Sequence, residues 1–303
     1  MRIAERFFII ISLLFPITIS FADTHIPGGD VSGIWTFPNS PYIIDGEINI
    51  PVDSTLVIEP GIQVIFSEHY KFNIYGRLLA EGTLSDTIIF TVGDTTGFSN
   101  FYSNDGGWHS LRFYNTNTNG QDSSKVVYCI LEYGKATGYY PDSQGGAIYL
   151  CNSSNILIKN CVITTNVANW GGGGIYCSNS SPIITNNIII YNTGDPGGGI
   201  SCGNDSNPII SNNVIKYNIA YSSWETNMGA GISCKYSSPT IIDNIISNNS
   251  IPYYGYGGGI YCEHSSAIIS NNIISNNIIS SGYGGGIYFD DSNLSLCNVT
   301  LLE

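Results

Sequence analysis

The sequence predicts an all-β solenoid, a parallel β-helix of roughly 9–10 coils with three short strands in each. Three observations carry that expectation. A Gly-Gly-Gly-Ile-x-Cys theme recurs, and its anchoring isoleucines, Ile148, Ile175, Ile200, Ile232, Ile260 and Ile287, lie 27, 25, 32, 28 and 27 residues apart. Each interval holds three β-branched runs of three to five residues, far too short for helices and separated by Gly, Asn, Ser or Pro. Only 11% of the 303 residues are charged, against 35 Gly and 21 Tyr, so the residues that fill helical bundles and coiled coils are missing. Three strands per ~27 residues match one coil, with equivalent strands stacked ~4.8 Å apart. A leucine-rich repeat is a rival, but its Leu-x-x-Leu-x-Leu pattern is absent.

The first 22 residues read as an address. Arg2 and Arg6 precede an almost wholly apolar run at 7–21, and Ser20-Phe21-Ala22 supplies the small residues of a cleavage site. Residues 1–22 are expected to be a secretory signal peptide, leaving a mature chain that begins at Asp23 and is extracellular or on the outer cell surface. That run is short for a membrane span, and no later stretch reaches ~18 apolar residues.

Residues 23–144 are read as an N-terminal cap and irregular first coils, and 145–303 as regular repeats. Strands are expected within 41–51, 55–66, 71–79 and 87–92, with turns at Glu59-Pro60-Gly61 and Glu81-Gly82-Thr83. The first of these segments would cover the open end of the solenoid. Residues 106–109 and 126–132 look like transitional coils. In the repeats a second block follows the glycines, as in Ser181-Pro182-Ile183-Ile184-Thr185-Asn186-Asn187-Ile188. A third landmark is Ile-x-x-Asn, at Ile189/Asn192, Ile215/Asn218, Ile246/Asn249 and Ile274/Asn277. Insertions at 219–227 and 251–256 fall before the glycine triplets, on a face where a solenoid tolerates loops. The sequence stops at Glu303, before another glycine triplet, so an incomplete last coil with an uncovered rung of Ile287, Phe289, Leu294 and Val299 is expected.

Position assigns the side chains. Within Ile175-Tyr176-Cys177 the period of two sends Ile and Cys inward and Tyr outward. Asn187, Asn213, Asn244 and Asn272 share one place, each before an aliphatic residue expected to point inward. Asn tolerates left-handed backbone, and stacked amides are expected to bond to one another as a ladder. Cys177, Cys202, Cys234 and Cys262 form one inward column in which Leu150 and Phe289 take equivalent places, so the site wants an apolar filler and the thiols are expected to be free. Parallel Cβ vectors ~4.8 Å apart also exceed the ~3.8 Å of a disulfide. A line of thiols without Cys-x-x-Cys is not a zinc site, and no metal is expected.

A formal net charge of −13 leaves no basic footprint for nucleic-acid phosphates or anionic lipid. The aromatic residues Tyr139, Tyr140, Trp170, Tyr221, Trp224, Tyr253, Tyr254, Tyr256 and Tyr283 all lie in segments leading into glycine triplets, on one side of the solenoid. Trp170, Trp224, Tyr253, Tyr254, Tyr256 and Tyr283 are the ligand-binding candidates, because exposed rings in acidic, hydroxyl-rich surroundings suit stacking on sugars or on another protein. Packing on one another to shield the coil edges is the alternative.

Leu56-Val57-Ile58-Glu59-Pro60-Gly61 and Gly76-Arg77-Leu78-Leu79-Ala80-Glu81-Gly82-Thr83 are similar to the first coils of secreted bacterial right-handed parallel β-helix proteins of the pectin-lyase-like superfamily. Gly145-Gly146-Ala147-Ile148 with later Ile-x-x-Asn resembles the repeat of polymorphic outer-membrane proteins, whose second motif begins with Phe where this chain has Ile. The resemblance implies a right-handed coil and spans lyases, hydrolases, epimerases, adhesins and other surface proteins. Pectate lyases there hold Ca²⁺ with clustered carboxylates and use an Arg base, and the galacturonan hydrolases use several Asp. After residue 22 the only arginines are Arg77 and Arg112, outside the repeats, and Ca²⁺ is not indicated. The low-ranked catalytic candidates are Glu263, His264, Asp290 and Asp291. The register places Asp290 in a column with Glu263, Lys235, Gly203 and Ser178, and Asp291 with His264, Tyr236, Asn204 and Asn179. Carboxylates stacked ~5 Å apart can share a proton or a cation, although a column just past a strand end ordinarily faces water. The reading is a secreted or cell-surface binding protein, for glycans or adhesion, rather than an enzyme. The alternative is a polysaccharide lyase or glycoside hydrolase.

Overall fold

The structure is a computed structural model and describes residues 23–116, 123–221 and 227–302. Three parallel sheets of 11, 10 and 10 strands wind into a β-helix. Each coil contributes one strand to each sheet, in the order Thr24–Ile26, Gly29–Asp30 and Gly33–Trp35 for the first. The tenfold depth of the second and third sheets gives ten coils, within the expected range. The anchoring isoleucines stack in register through the second sheet, Ile148 on Ile175, Ile200, Ile232, Ile260 and Ile287. The second block of each repeat forms the third sheet, as in Ile183–Thr185, and the third run forms the first sheet, as in Ile188–Ile190.

Corners between sheets follow one recipe. A residue in the left-handed region turns the chain, and the next residue aims a small polar side chain inward. Between the third and first sheets the turning residues are Asn186, Asn212, Asp243 and Asn271, and the inward ones are Asn187, Asn213, Asn244 and Asn272. Asn213 Oδ1 accepts from the Asn187 amide N–H (2.9 Å) and from Asn187 Nδ2 (3.0 Å). Asn213 Nδ2 donates to Asn244 Oδ1 (3.0 Å) and to the Ile184 carbonyl (2.9 Å). Every group of the amide that a dry interior would penalise is thereby paired. The ladder expected from the sequence is present, and two more run beside it. Asn166, Asn192, Asn218, Asn249 and Asn277 repeat the pattern after the first sheet. Ser153, Ser180, Ser206, Ser237, Ser265 and Ser292 accept from backbone N–H groups after the second sheet.

This geometry corrects four expectations. The residue after each ladder Asn is not inward. Ile188 is 43% exposed while Ile189 is fully buried, because the corner gives the inward slot to Asn187 and the alternation restarts one residue later. The left-handed conformation likewise belongs to the residue before each ladder Asn. Residues 41–51 do not close the end of the solenoid. Tyr42–Ile44 pairs on one side with Thr24–Ile26 and on the other with Gln63–Phe66, since glycines of positive φ at Gly28, Gly29 and Gly33 let the polar segment before it complete a coil of its own. The longer predicted runs are each split by a corner, residues 55–66 into Thr55–Ile58 and Gln63–Phe66.

The apolar interior changes along the axis. In the early coils it is aromatic, with Trp35 stacked on Tyr42 at 4.6 Å and Phe66 on Trp108 at 4.7 Å. From residue 145 onward it narrows to Ile and Cys, and Cys177, Cys202, Cys234 and Cys262 are buried free thiols in one column. On the last described rung Phe289 is 55% exposed, and Ile287, Leu294 and Val299 are half-buried. No helix among the described residues is long and apolar enough to cross a membrane.

Candidate ligand-binding site

The segments between the first sheet and the glycine triplets build a fourth side. Asn227–Met228 pairs with Ser250–Tyr256, which pairs with Ile278–Tyr283. This pairing places Tyr256 against Tyr283, with ring centroids 6.0 Å apart and planes nearly parallel. Tyr256 also stacks on Tyr288 (4.6 Å) and meets Tyr254 edge-on (5.5 Å), and the Tyr254 and Tyr256 hydroxyls are hydrogen-bonded at 2.9 Å. Tyr253 packs on Tyr221 at 5.6 Å. Tyr253, Tyr254 and Tyr283 are exposed, and Tyr256, the hub of the cluster, is half-buried. The rings pack on one another and still present faces to solvent. Trp224 lies outside the described residues.

Trp170 stands apart from that cluster. With Gly138, Tyr139, Tyr140, Ser143 and Gln144 it encloses a hollow of about 290 Å³. Tyr139 is 94% exposed and Trp170 49%, whereas Ser143 and Gln144 beneath them are buried. Backbone bonds tie the two neighbouring coils under the hollow, Trp170 N–H to the Ser143 carbonyl (2.8 Å) and Gly145 N–H to the Gly171 carbonyl (3.0 Å). Behind it, Arg112 staples the loop to the outer face of the second sheet. Its guanidinium donates to the carbonyls of Gln144 (3.2 Å) and Pro141 (2.9 Å) and to the Tyr114 hydroxyl (2.8 Å), and lies 4.2 Å from the Tyr149 ring centroid. Asp142 answers this buried charge at 3.8 Å and bonds Lys71 at 2.8 Å. Burial pushes the Tyr149 phenol well up, and the Tyr176 phenol up to about 12.

The carboxylate column has the expected register, with Ser178, Gly203, Lys235, Glu263 and Asp290 stacked coil on coil. Glu263 is bound to Lys235 at 2.9 Å and accepts from the Tyr261 hydroxyl at 3.0 Å, and burial with this contact pushes the Tyr261 phenol upward. His264 Nδ1 lies 2.9 Å from Asp291, and its ring stacks on Tyr236 at 4.9 Å. Asp290 and Asp291 are exposed. His264 and Asp291 are themselves left-handed corner residues, so the register brings these four groups to one corner, where Glu263 is mostly buried against Lys235 and the His264 ring contacts the exposed Asp291. In the adjoining column an extra residue intrudes, because Asn204 and Asp205 are both left-handed where the other coils use one residue.

A second concavity, of about 730 Å³, opens where Glu68, His69, Asp94 and Asp105 meet. Its inner wall includes His69, which bonds the Lys135 carbonyl at 2.6 Å through Nε2 and packs against buried His109 at 4.8 Å. A carbonyl only accepts, so Nε2 carries the hydrogen. Burial, with Lys135 and Lys71 nearby, holds the His69 pKa down.

A family model described as the right handed beta helix region matches residues 116–301, more than half of the chain. This chain belongs to the right-handed β-helix family. No curated protein and no solved structure shows a match. The early coils lie outside the matched segment yet continue the same three sheets of this right-handed β-helix.

Sequence reasoning passed over Arg112 because it precedes the glycine repeats. A signal was present. Leu111-Arg112-Phe113 has the alternation of Ile148-Tyr149-Leu150, and the two triplets pair residue on residue, so Arg112 occupies the outward place that Tyr149 and Tyr176 fill in the next coils. The hollow itself needs two coils and their loops together, which no single repeat discloses.

Proposed function

We propose that this β-helix is an exported or cell-surface protein that binds carbohydrate through the aromatic side of the coil. One observation carries the reading: Tyr139, Tyr140 and Trp170 stand exposed around one concave, mostly apolar hollow, rather than scattered singly over the surface. Aromatic faces take the C–H faces of pyranose rings, and a few fixed polar groups set orientation. The Tyr253, Tyr254, Tyr256 and Tyr283 cluster, coils away on the same side, extends the surface along which a longer glycan or a glycosylated cell surface would lie. The hydrophobic leader of the sequence supports export. Support for a binding role over a cleaving one comes from the carboxylate corner, where Glu263 and His264 already hold partners of their own.

The test is a glycan array with titration of the hits, beside a polysaccharide-depolymerisation assay. Trp170→Ala is expected to weaken binding more than tenfold with the fold intact. Release of reducing ends or unsaturated products from any polysaccharide, lost in Glu263→Gln or Asp290→Asn, would replace the binding role with an enzymatic one.

A further inference from the structure

We infer that Tyr191 and Tyr217 are a site of oxidative cross-linking, where a peroxide-driven one-electron oxidant joins the two rings as dityrosine and staples neighbouring coils. The starting observation is their place in the fold. Each directly follows a strand of the first sheet, and Ile188–Ile190 pairs with Val214–Lys216 in register, so the two tyrosines occupy the same corner of adjacent coils. Their backbones are nearly identical, with φ of 56° and 57°. The rings stack, with centroids 5.3 Å apart and planes within 9° of parallel. Both are exposed, Tyr191 at 56% and Tyr217 at 45%.

The pair is singular in its surroundings. The same corner carries Thr165 in the coil before, and Asn248 and Asn276 in the two coils after, all left-handed, so no third ring joins the column. A bulky side chain is a costly choice in that conformation, where Asn is the easy one, yet the chain makes it twice in succession. In every other stacked tyrosine pair among the described residues, at least one ring is buried or half-buried, as with Tyr149 on Tyr176 and Tyr256 on Tyr283.

The chemistry balances. Each phenol gives up one electron and one proton to become a phenoxyl radical, whose unpaired electron is shared with the ring carbons ortho to oxygen. One ortho carbon of each ring forms the new C–C bond. The hydrogen that each of these carbons carried moves as a proton to its own phenoxyl oxygen, which restores both phenols. The two electrons and two protons lost reduce one hydrogen peroxide to two waters. Stacked rings that leave equivalent backbones set each ortho carbon near its counterpart, and the fast rotation of exposed side chains tilts the two edges together while the backbone stays in place. Two radicals held this way meet inside one molecule, at an effective concentration that rings on separate molecules lack. A long side chain also reaches where a Cβ spacing of ~4.8 Å is too wide for a disulfide.

The experiment treats the full chain with a haem peroxidase and hydrogen peroxide, beside Tyr191→Phe and Tyr217→Phe, each checked by thermal melting. Dityrosine fluorescence is expected in wild type, at a yield per chain that does not change on dilution, in material that still runs as one chain on a denaturing gel. Trypsin cleaves after Lys159, Lys216 and Lys235, so peptides 160–216 and 217–235 should emerge joined, with fragmentation placing the bond at Tyr191 and Tyr217. Either Phe variant should lose that joined peptide by about tenfold or more, since it keeps the ring and removes the phenol. Wild type that gives no intramolecular dityrosine, while free tyrosine in the same mixture couples, would overturn the inference. So would a bond mapped to other tyrosines in place of this pair. Both of these outcomes are read on the wild-type chain, so they decide the matter even where a variant folds poorly.

Discussion

Asn213→Ala removes one rung from a buried amide ladder, and the structure sets the size of the loss. The Asn187 backbone N–H is left with no acceptor, a buried orphan worth about 1–3 kcal/mol. Asn187 Nδ2, the Ile184 carbonyl and Asn244 Oδ1 each lose one bond while Asn187 Nδ2 and Asn244 Oδ1 keep another, at about 0.5–1.5 kcal/mol apiece. The expected destabilisation is about 2.5–7.5 kcal/mol, a large share of an ordinary domain's ~5–15 kcal/mol. Asn213→Cys should recover part of it, because Cys161 fills the equivalent rung and its thiol donates to the Val126 carbonyl at 3.2 Å. Urea unfolding gives the free energies, and hydrogen exchange at the Asn187 amide reports the orphan directly. A loss below about 1 kcal/mol, with the Asn187 amide still protected, would refute the idea that the ladder holds the corners.

Four further outcomes are expected. Cys177, Cys202, Cys234 and Cys262 should react with thiol reagents only after unfolding, and cross-linked peptides from neighbouring pairs in mass spectrometry would contradict this. Gly257→Ala should cost about 1–3 kcal/mol, because φ is +66° there and an added Cβ would strike the Ile260 carbonyl oxygen; an unchanged melting curve would count against it. Asp290→Asn should change stability by less than about 1 kcal/mol, as an exposed charge does, whereas Glu263→Gln, whose mostly buried carboxylate holds Lys235 and the Tyr261 hydroxyl, should cost about 1–3 kcal/mol, both measured by denaturant titration. Burial and the Arg112 charge hold the His109 pKa at about 2, below its unfolded value, so the unfolded chain takes the proton first. Stability should be full above about pH 6.5 and fall by up to about 1.4 kcal/mol per unit as pH drops toward 2, a slope that His109→Gln should reduce.

The coil was legible because its period is written in glycine and isoleucine, and each anchoring isoleucine stacks where the spacing implied. The direction of individual side chains was less so. Ile188 looks like a core residue by composition, yet the left-handed Asn186 shifts the alternation by one, and only the corner geometry reveals it. The first coil was hidden for a related reason, since 24–35 is rich in glycine and poor in Ile, and it pairs only because its neighbour supplies an edge. The aromatic segments could be placed on one side, but not divided into a packed cluster and a separate hollow, because that division depends on contacts between loops of different coils.

The amide ladders give the molecule a sense of direction. In each rung the oxygen faces the preceding coil, and one hydrogen of the amide nitrogen faces the following coil. The dipoles therefore add rather than cancel, with their positive ends toward later coils, and each bond polarises the next. Stacked rungs make the solenoid a weakly polarised rod whose two ends are electrically unlike, even where the strands and the core repeat. A growing coil meets oriented, chemically distinct partners on its two faces, so coils can add in one orientation only, and a reversed coil would set amide N–H against amide N–H at both Asn corners of the face it met.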